Sequence, residues 1–303
     1  MADTPHIAFI VHGKIKAKSR LLAKLSEHFQ SIGTLTFFTT KPDMCGLKCS
    51  SEALRKGATI LIAVGGDGTV NEVANAILTN PKASELKMGI LPFGKGNDFC
   101  RSLGITKDLA ALRKNILFAK SRLIDVAELE FTEKGGKPSK RYFVNIADVG
   151  LGGFATQMLR TGRSIWGSSM TYFFVILRSF LFYKPVKVKF FSENFELESP
   201  AMSICMANGK YFASGLGIAP EAKVDDGLLD WVFLLKISVW DYLKKLPQLK
   251  KGRKIQHPQV SYGQGKQCKI TGEHPIPIDM DGEFVGFTPL TCRIMPSALT
   301  ILA

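Results

Sequence analysis

Residues 63–73 read AVGGDGTVNEV, with three glycines, an aspartate and an asparagine–glutamate pair set between two apolar segments. Upstream, Thr59 to Val64 is a short apolar run with β-branched residues, the pattern of a strand buried on both faces of a parallel sheet. Downstream, Val70, Val73, Ala74 and Ile77 recur at helical spacing, so the chain turns from strand to helix across the glycines. Glycine serves such a turn by accepting positive φ or by letting the backbone come close to a neighbour. A plain βα turn accounts for the glycines but not for Asp67. That acid stands at the carboxyl end of a strand, where open α/β sheets place ligands, and at a helix N-terminus, whose N–H groups favour phosphate. A phosphate beside a carboxylate needs a cation between them, so the stretch points to a metal-bound polyphosphate. It is neither a GxxxxGK[ST] loop nor a G-x-G-x-x-G fingerprint.

Working outward, the first part of the chain alternates strand and helix patterns. Strands are expected at His6–Val11, Thr34–Thr39, Thr59–Val64 and Met88–Leu91. Helices are expected at Lys18–Phe29, Ser50–Lys56, from Val70, around Asp98–Leu103 and at Asp108–Ala119. Such alternation predicts a parallel sheet with helices on both faces. From about residue 123 the period changes. Leu123–Phe131, Arg141–Ile146, Val186–Phe191, Phe195–Glu198, Met202–Ala207, Leu228–Leu235 and segments after Gln259 read as strands, with helices over Gly153–Ser164 and Tyr172–Phe182. The expected architecture is an α/β nucleotide-binding domain over residues 1–124, completed by about 293–303, followed by a mostly antiparallel β-sandwich over 125–292. A cleft between domains is the default place for a ligand.

The 303 residues allow two cores of ordinary size, and 46% apolar with 22% charged residues is the balance of a globular protein. A formal charge of +14 implies an anionic partner. No nucleic-acid signature accompanies that charge, which favours a nucleotide and an anionic membrane surface over nucleic acid. The six cysteines, at 45, 49, 100, 205, 268 and 292, have no paired CxxC spacing and read as reduced thiols. The N-terminal MADTPHIAFIVHGK lacks the pattern of a secretory signal, so a cytoplasmic location is expected. Tyr172–Tyr183, YFFVILRSFLFY, is too short to span a bilayer and reads as a buried helix whose phenylalanines also suit a wall for an acyl chain. Tyr242–Lys254, YLKKLPQLKKGRK, reads as a connecting helix broken near Pro247, with a basic cluster suited to anionic headgroups.

A second loop, Pro92-Phe93-Gly94-Lys95-Gly96-Asn97-Asp98, again sets glycines and an acid between strand and helix. Two such turns on successive parallel strands lie at one sheet edge and can grip one ligand from two sides. Lys95 supplies charge for phosphate, and Asp98 suits a helix cap. Asp125 follows at the domain junction. Near the end, Pro277–Val285 contains Asp281-Gly282-Glu283, a hairpin signal that also places two acids beside a turn. A hydroxyl acceptor of a phosphoryl group needs such a carboxylate to take its proton.

Together, GGDGTVNEV at 65–73 and PFGKGNDFCRSLGI at 92–105 resemble the bacterial lipid kinases that share the diacylglycerol kinase catalytic domain. That family is also similar to sphingosine kinases and, more distantly, NAD kinases. Asn145–Gly153, Ala207–Gly209 with Ser214–Gly217, Pro220–Asp230 and Asp281–Glu283 follow in family order. The resemblance implies transfer of the γ-phosphoryl group of ATP, with Mg²⁺, to a lipid hydroxyl, diacylglycerol giving phosphatidic acid being the expected case. It assigns Asp281 as general base, Glu283 as its acidic neighbour and Asp67 as organiser of the catalytic Mg²⁺. Asp98 and Asp125 join that acidic network. Gly65, Gly66, Gly68, Thr69, Glu72, Gly94, Lys95, Gly96 and Asn97 fall on the nucleotide loops. Lys223, Asp226 and Leu228 fall on a separate structural Mg²⁺ site. Two departures stand out: Val11-His12-Gly13-Lys14 replaces an Asn-Pro-x-Ser/Ala-Gly loop, and Lys95 replaces a threonine. The expected partners are a lipid substrate and the surface of an anionic membrane, with room for a homodimer. The rival readings are an NAD kinase and a non-catalytic, nucleotide-sensing membrane protein.

Overall fold

The most apolar runs of the first 92 residues become its sheet. In the computed structural model, which describes residues 4–161 and 168–303, β1 (His6–Val11), β2 (Thr34–Thr39), β3 (Ile60–Gly65) and β4 (Lys87–Pro92) lie in the order β2-β1-β3-β4, all parallel. Near the C-terminus, Ile301 pairs in parallel with Met88 on the free side of β4. The connecting helices are α1 (Lys18–Phe29), α2 (Gly46–Arg55) and α3 (Asp67–Leu78), and α4 (Asp98–Leu103) and α5 (Leu109–Leu117) follow β4. Phe9, Ile62, Val64 and Leu91 of the sheet pack with Leu25 and Phe29 of α1 and Leu112 of α5. With β2 on one side of β1 and β3 on the other, the winding reverses between β1 and β3. The loops after those two strands are therefore the place where such a sheet receives a ligand.

The remaining strands are almost all antiparallel. They are β5 (Arg122–Thr132), β6 (Pro138–Phe143), β7 (Ile146–Gly150), β8 (Val186–Ser192), β9 (Glu196–Ala201), β10 (Ser203–Ala207), β11 (Tyr211–Phe212), β12 (Leu216–Gly217), β13 (Leu229–Leu234), β14 (Val260–Gly265), β15 (Gln267–Gly272), β16 (Pro277–Met280) and β17 (Glu283–Ile301). The helices between them are α6 (Leu151–Thr161), α7 (Ser168–Phe182) and α8 (Val239–Lys250). One run of strands reads β14-β13-β10-β7-β16-β17, and β17 continues through β15 to β8 and β9. Alternate residues define two faces. Ile204 and Met206 of β10 join Phe190, Trp231 and Ile278 in one core, while Cys205 and Ala207 turn to the other side and pack with Leu249 of α8. The chain divides into two compact units, Met1–Ile124 with Ser297–Ala303, and Asp125–Pro296.

Several elements differ from expectation for reasons of tertiary contact. Helix α2 starts at Gly46 rather than Ser50, because the Gly46 N–H is capped by Glu72 Oε2 of α3 at 3.0 Å. The expected strand Arg141–Ile146 splits into β6 and β7: the N–H groups of Val144, Asn145 and Ile146 bond the Asp281 carboxylate at 3.0, 3.1 and 3.0 Å. Helix α3 begins at Asp67, three residues before the first periodic position Val70. Pro247 does not break α8, which runs on to Lys250 behind a Ser238–Asp241 capping box. Burial of Leu249 and packing of Tyr242 and Leu246 offset the backbone bond that proline removes. The helix expected over Gly153–Ser164 is α6, and residues 162–164 of that expectation lie outside the described residues. Among the described residues no helix is long and apolar enough to cross a membrane.

Candidate active site

In the first unit, the register Gly65 opposite Pro92 delivers both glycine loops to the same sheet edge. The N–H groups of Phe93 and Gly94 bond the Gly65 carbonyl at 2.7 and 3.1 Å, so the second loop is anchored on the first. A side chain at Gly94 would strike the Gly66 Cα, and one at Gly66 would come within 3.0 Å of the Gly94 Cα. Here glycine is required by contact between two backbones. Asn97 adopts the left-handed region (φ 51) and clamps the second loop, accepting from the Gly94 N–H and donating to its carbonyl, both at 2.9 Å.

The acids of this edge converge. A Cβ on Gly96 would lie 3.0 Å from Asp67 Oδ2 and 3.3 Å from Asp98 Oδ2, so the two carboxylates approach the same small volume. Asp67 Oδ1 also accepts the Phe99 N–H at 3.1 Å. Burial raises the Asp67 pKa, against the opposing pull of N–H groups at the start of α4. Two desolvated carboxylates with glycine between them form an oxygen donor set that suits Mg²⁺. Thr69 is buried beneath Gly65, Gly68 is half-buried and Lys95 is exposed. Glu72 holds α2 through Gly46 and so acts in the scaffold of the loop. After β1, Gly13 donates to Thr40 Oγ1 at 2.9 Å, and His12 titrates below its ordinary range through burial, then Lys14 and Lys18.

In the second unit, Asp281 and Gly282 form the two-residue turn joining β16 to β17, both with positive φ (49 and 87), as a primed hairpin turn requires. Besides accepting the three N–H groups already described, Asp281 donates its own N–H to the Ile146 carbonyl at 2.9 Å. Glu283 is half-exposed and lies 3.7 Å from the Arg141 guanidinium. Asp125 Oδ2 accepts the Gly227 N–H at 2.7 Å, and the Asp125 N–H donates to Val224 at 2.7 Å. Asp125 thus secures the turn that carries Lys223, Asp226 and Leu228. In that turn Asp226 Oδ1 accepts the Leu228 N–H at 3.1 Å. An exposed carboxylate beside backbone oxygens fits a hydrated Mg²⁺.

Sequence reasoning passed over a buried group in the same unit. Asp148 of β7 is 4% exposed and lines an apolar pocket beside Ser203 and Cys205. Leu151, Ile176, Phe180, Leu216, Ile218 and Leu249 are among its walls. An aspartate inside the apolar run Ile146–Val149 was the available signal.

Glycine loops on the carboxyl edge of a parallel sheet, with acids converging at helix N-termini, give an α/β unit of a form suited to phosphate, followed in the chain by a β-sandwich-like unit. A family model described as the diacylglycerol kinase catalytic domain matches residues 6–129. A second, the YegS C-terminal NAD kinase beta sandwich-like domain, matches 146–303. The chain belongs to this family of YegS-like and diacylglycerol kinases. It is 30% identical over 248 residues to "Probable lipid kinase YegS-like" of Klebsiella pneumoniae (strain 342), covering 82% of this chain and 79% of that protein. It is 28% identical over 245 residues to "Diacylglycerol kinase" of Staphylococcus aureus (strain Newman), covering 79% and 73%. Among solved structures, a diacylglycerol kinase from Bacillus anthracis str. Sterne shares the fold with TM-score 0.67 at 21% identity, covering 99% of this chain and 96% of that one. Yeast NADH kinase complexed with NADH does so with TM-score 0.54 at 8% identity, covering 99% and 83%.

Proposed function

We propose that the protein transfers the γ-phosphoryl group of ATP to the hydroxyl of a lipid, with diacylglycerol as acceptor and phosphatidic acid as product. The observation that carries this reading is the cavity of the second unit, whose apolar walls suit a hydrocarbon chain rather than a dinucleotide. The nucleotide phosphates are received by N–H groups of the loops at Gly66–Gly68 and Gly94–Asn97, with Lys95 as an added cation. Asp67 and Asp98 would hold Mg²⁺, which would neutralise charge on the phosphates. Asp281, its carboxylate oriented by three N–H groups, takes the proton of the attacking hydroxyl. Phosphoryl transfer depends mainly on such positioning and charge neutralisation.

The lipid is met at a membrane surface. Trp240 (69% exposed) at the start of α8, with Leu181 (75%) and Phe182 (62%) at the end of α7, offers apolar contact. Exposed Lys244, Lys250, Lys251 and Arg253 offer charge to anionic headgroups. The test is transfer of labelled γ-phosphate from Mg-ATP to a panel of lipids in mixed micelles, with NAD as a parallel acceptor. Labelled phosphatidic acid is the expected product. Labelled NADP would move the protein to the nucleotide branch of its fold, and no product with intact ATP binding would favour a nucleotide sensor.

A further inference from the structure

Helix α5 is apolar on both faces near its C-terminal end. Leu112 and Ile116 are buried and Leu109 packs beside them in the core of the first unit, as the inner face of an amphipathic helix does. The outer face, at Ala110, Lys114, Leu117 and Phe118, is exposed, and polar residues are the rule there. Instead Leu117 is 48% exposed and Phe118 74%, and Leu123, at the start of β5, is 53% exposed. Single exposed apolar residues are ordinary, but three of them between positions 117 and 123 form a patch that calls for a partner.

The turn after the helix holds this patch outward. The Lys120 N–H bonds the Asn115 carbonyl at 2.8 Å and the Ala119 N–H the Ile116 carbonyl at 3.2 Å, with Ala119 in the left-handed region (φ 49), the form of a Schellman cap. Arg113 fastens the helix to the end of α1, donating to the His28 carbonyl at 2.9 Å and to Ser31 Oγ at 3.2 Å. The charge around the patch has one sign. Leu109 to Leu123 contains Arg113, Lys114, Lys120 and Arg122 and no acid. The flanking acids are Asp108, whose Oδ1 accepts the N–H groups of Ala110 and Ala111, and Asp125, which holds the Gly227 turn.

We propose that this end of α5 is a further membrane contact, in which Leu117, Phe118 and Leu123 enter the interface of an anionic bilayer while Lys114 and Lys120 meet its headgroups. The proposal rests on the lipid-kinase reading for the choice of partner, and it gives the first unit a contact of its own, apart in sequence from that of α7 and α8. Exposed phenylalanine and leucine flanked by lysine is the composition of segments that lie in a bilayer interface. Each cation near an anionic surface adds to the attraction. A second copy of the chain is the poorer partner, since an isologous contact sets two patches of the same charge face to face. A peptide needs a groove or a strand edge to accept it, and an exposed helix end offers neither.

The experiment measures co-sedimentation of the full chain with vesicles of phosphatidylcholine and phosphatidylglycerol, alongside phosphoryl transfer to diacylglycerol in those vesicles and to monomeric dihexanoylglycerol. Phe118→Ser should bind the vesicles at least about tenfold more weakly. Phe118→Trp should bind like the parent and add emission that brominated lipid quenches. Lys114→Glu with Lys120→Glu should weaken binding to the anionic vesicles and leave binding to pure phosphatidylcholine unchanged. These side chains are exposed, so each variant should melt cooperatively close to the parent. Phe118→Ser should lose activity toward vesicle diacylglycerol and keep it toward dihexanoylglycerol, a split that a folding defect does not give. Parent-like vesicle binding by Phe118→Ser overturns the proposal, as does self-association that Phe118→Ser abolishes while vesicle binding persists. Phosphorylation of diacylglycerol alongside either of those results leaves the kinase reading standing. Phe118-dependent vesicle binding with no lipid phosphorylated sustains the contact and removes the kinase reading.

Discussion

Replacing Asp281 by asparagine tests both the hydrogen bonds that the structure gives its carboxylate and the base role proposed for it. Oδ1 accepts from Asn145 and Ile146 at 3.1 and 3.0 Å, Oδ2 from Val144 at 3.0 Å, and the side chain is 9% exposed. In the Asp281→Asn variant the amide carbonyl oxygen can keep the two bonds of Oδ1, but the amide nitrogen then points a donor at the Val144 N–H. One buried donor loses its partner, at a cost of about 1–3 kcal/mol. For a unit the size of Asp125–Pro296 each kcal/mol lowers Tm by roughly 2–4 °C. The expected fall is therefore about 2–12 °C, read by scanning calorimetry. Loss of a general base lowers turnover by about 10²- to 10⁴-fold, far more than partial unfolding explains at a temperature well below the transition. Glu283→Gln is the contrasting variant: its carboxylate is half-exposed and 3.7 Å from Arg141, so its removal costs at most about 1 kcal/mol. A Tm for Asp281→Asn within about 1 °C of the parent would refute the bonding argument. Turnover retained within about tenfold at a temperature where the variant is folded would refute the base.

Gly94→Ala should part the two phosphate loops, because its Cβ falls on the Gly66 backbone; ATP affinity measured by titration calorimetry should drop at least about tenfold, and an unchanged affinity removes the loop contact from binding. Burial raises the Asp230 carboxyl to about 6 from its ordinary 3.8, with Gln264 opposing and Asp226 and Glu221 adding to the rise. The folded state then holds its proton more tightly than the unfolded state, so stability from this group is full below about pH 4 and lost as pH rises through about 6. Asp230→Asn should gain on the order of 1–3 kcal/mol over the parent above about pH 6 and nothing near about pH 3.5; a Tm difference independent of pH would contradict this. Binding to vesicles containing anionic lipid should weaken steeply as salt rises and fall further in Trp240→Ser, whereas salt-insensitive binding counts against the basic and aromatic surface.

The alternation of apolar strands and helical periods around residues 59–77 made the parallel sheet legible, since propensity and burial are local properties there. The change of period after residue 123 made the antiparallel β-rich part legible for the same reason. The boundaries that moved are those decided by distant partners. Helix α2 gains its first turn from Glu72, and the strand expected over 141–146 is cut by the Asp281 carboxylate, 136 residues from Asn145. Pro247 reads as a helix breaker only until Leu249 and Tyr242 are seen to be packed.

The sequence by itself determined the two glycine turns, the acids beside them and the resemblance that names the chemistry, because each is a short pattern whose spacing carries its meaning. Tertiary structure alone decided that Gly66 meets Gly94, that Asp67 and Asp98 approach one volume, and that Asp148, paired opposite Cys205 and Asp279, is buried beside an apolar cavity. In the sequence Asp148 and Asp279 are an acid in a strand and an acid before a turn. Only strand pairing, which sets β7 against β16 and β10, makes them neighbours.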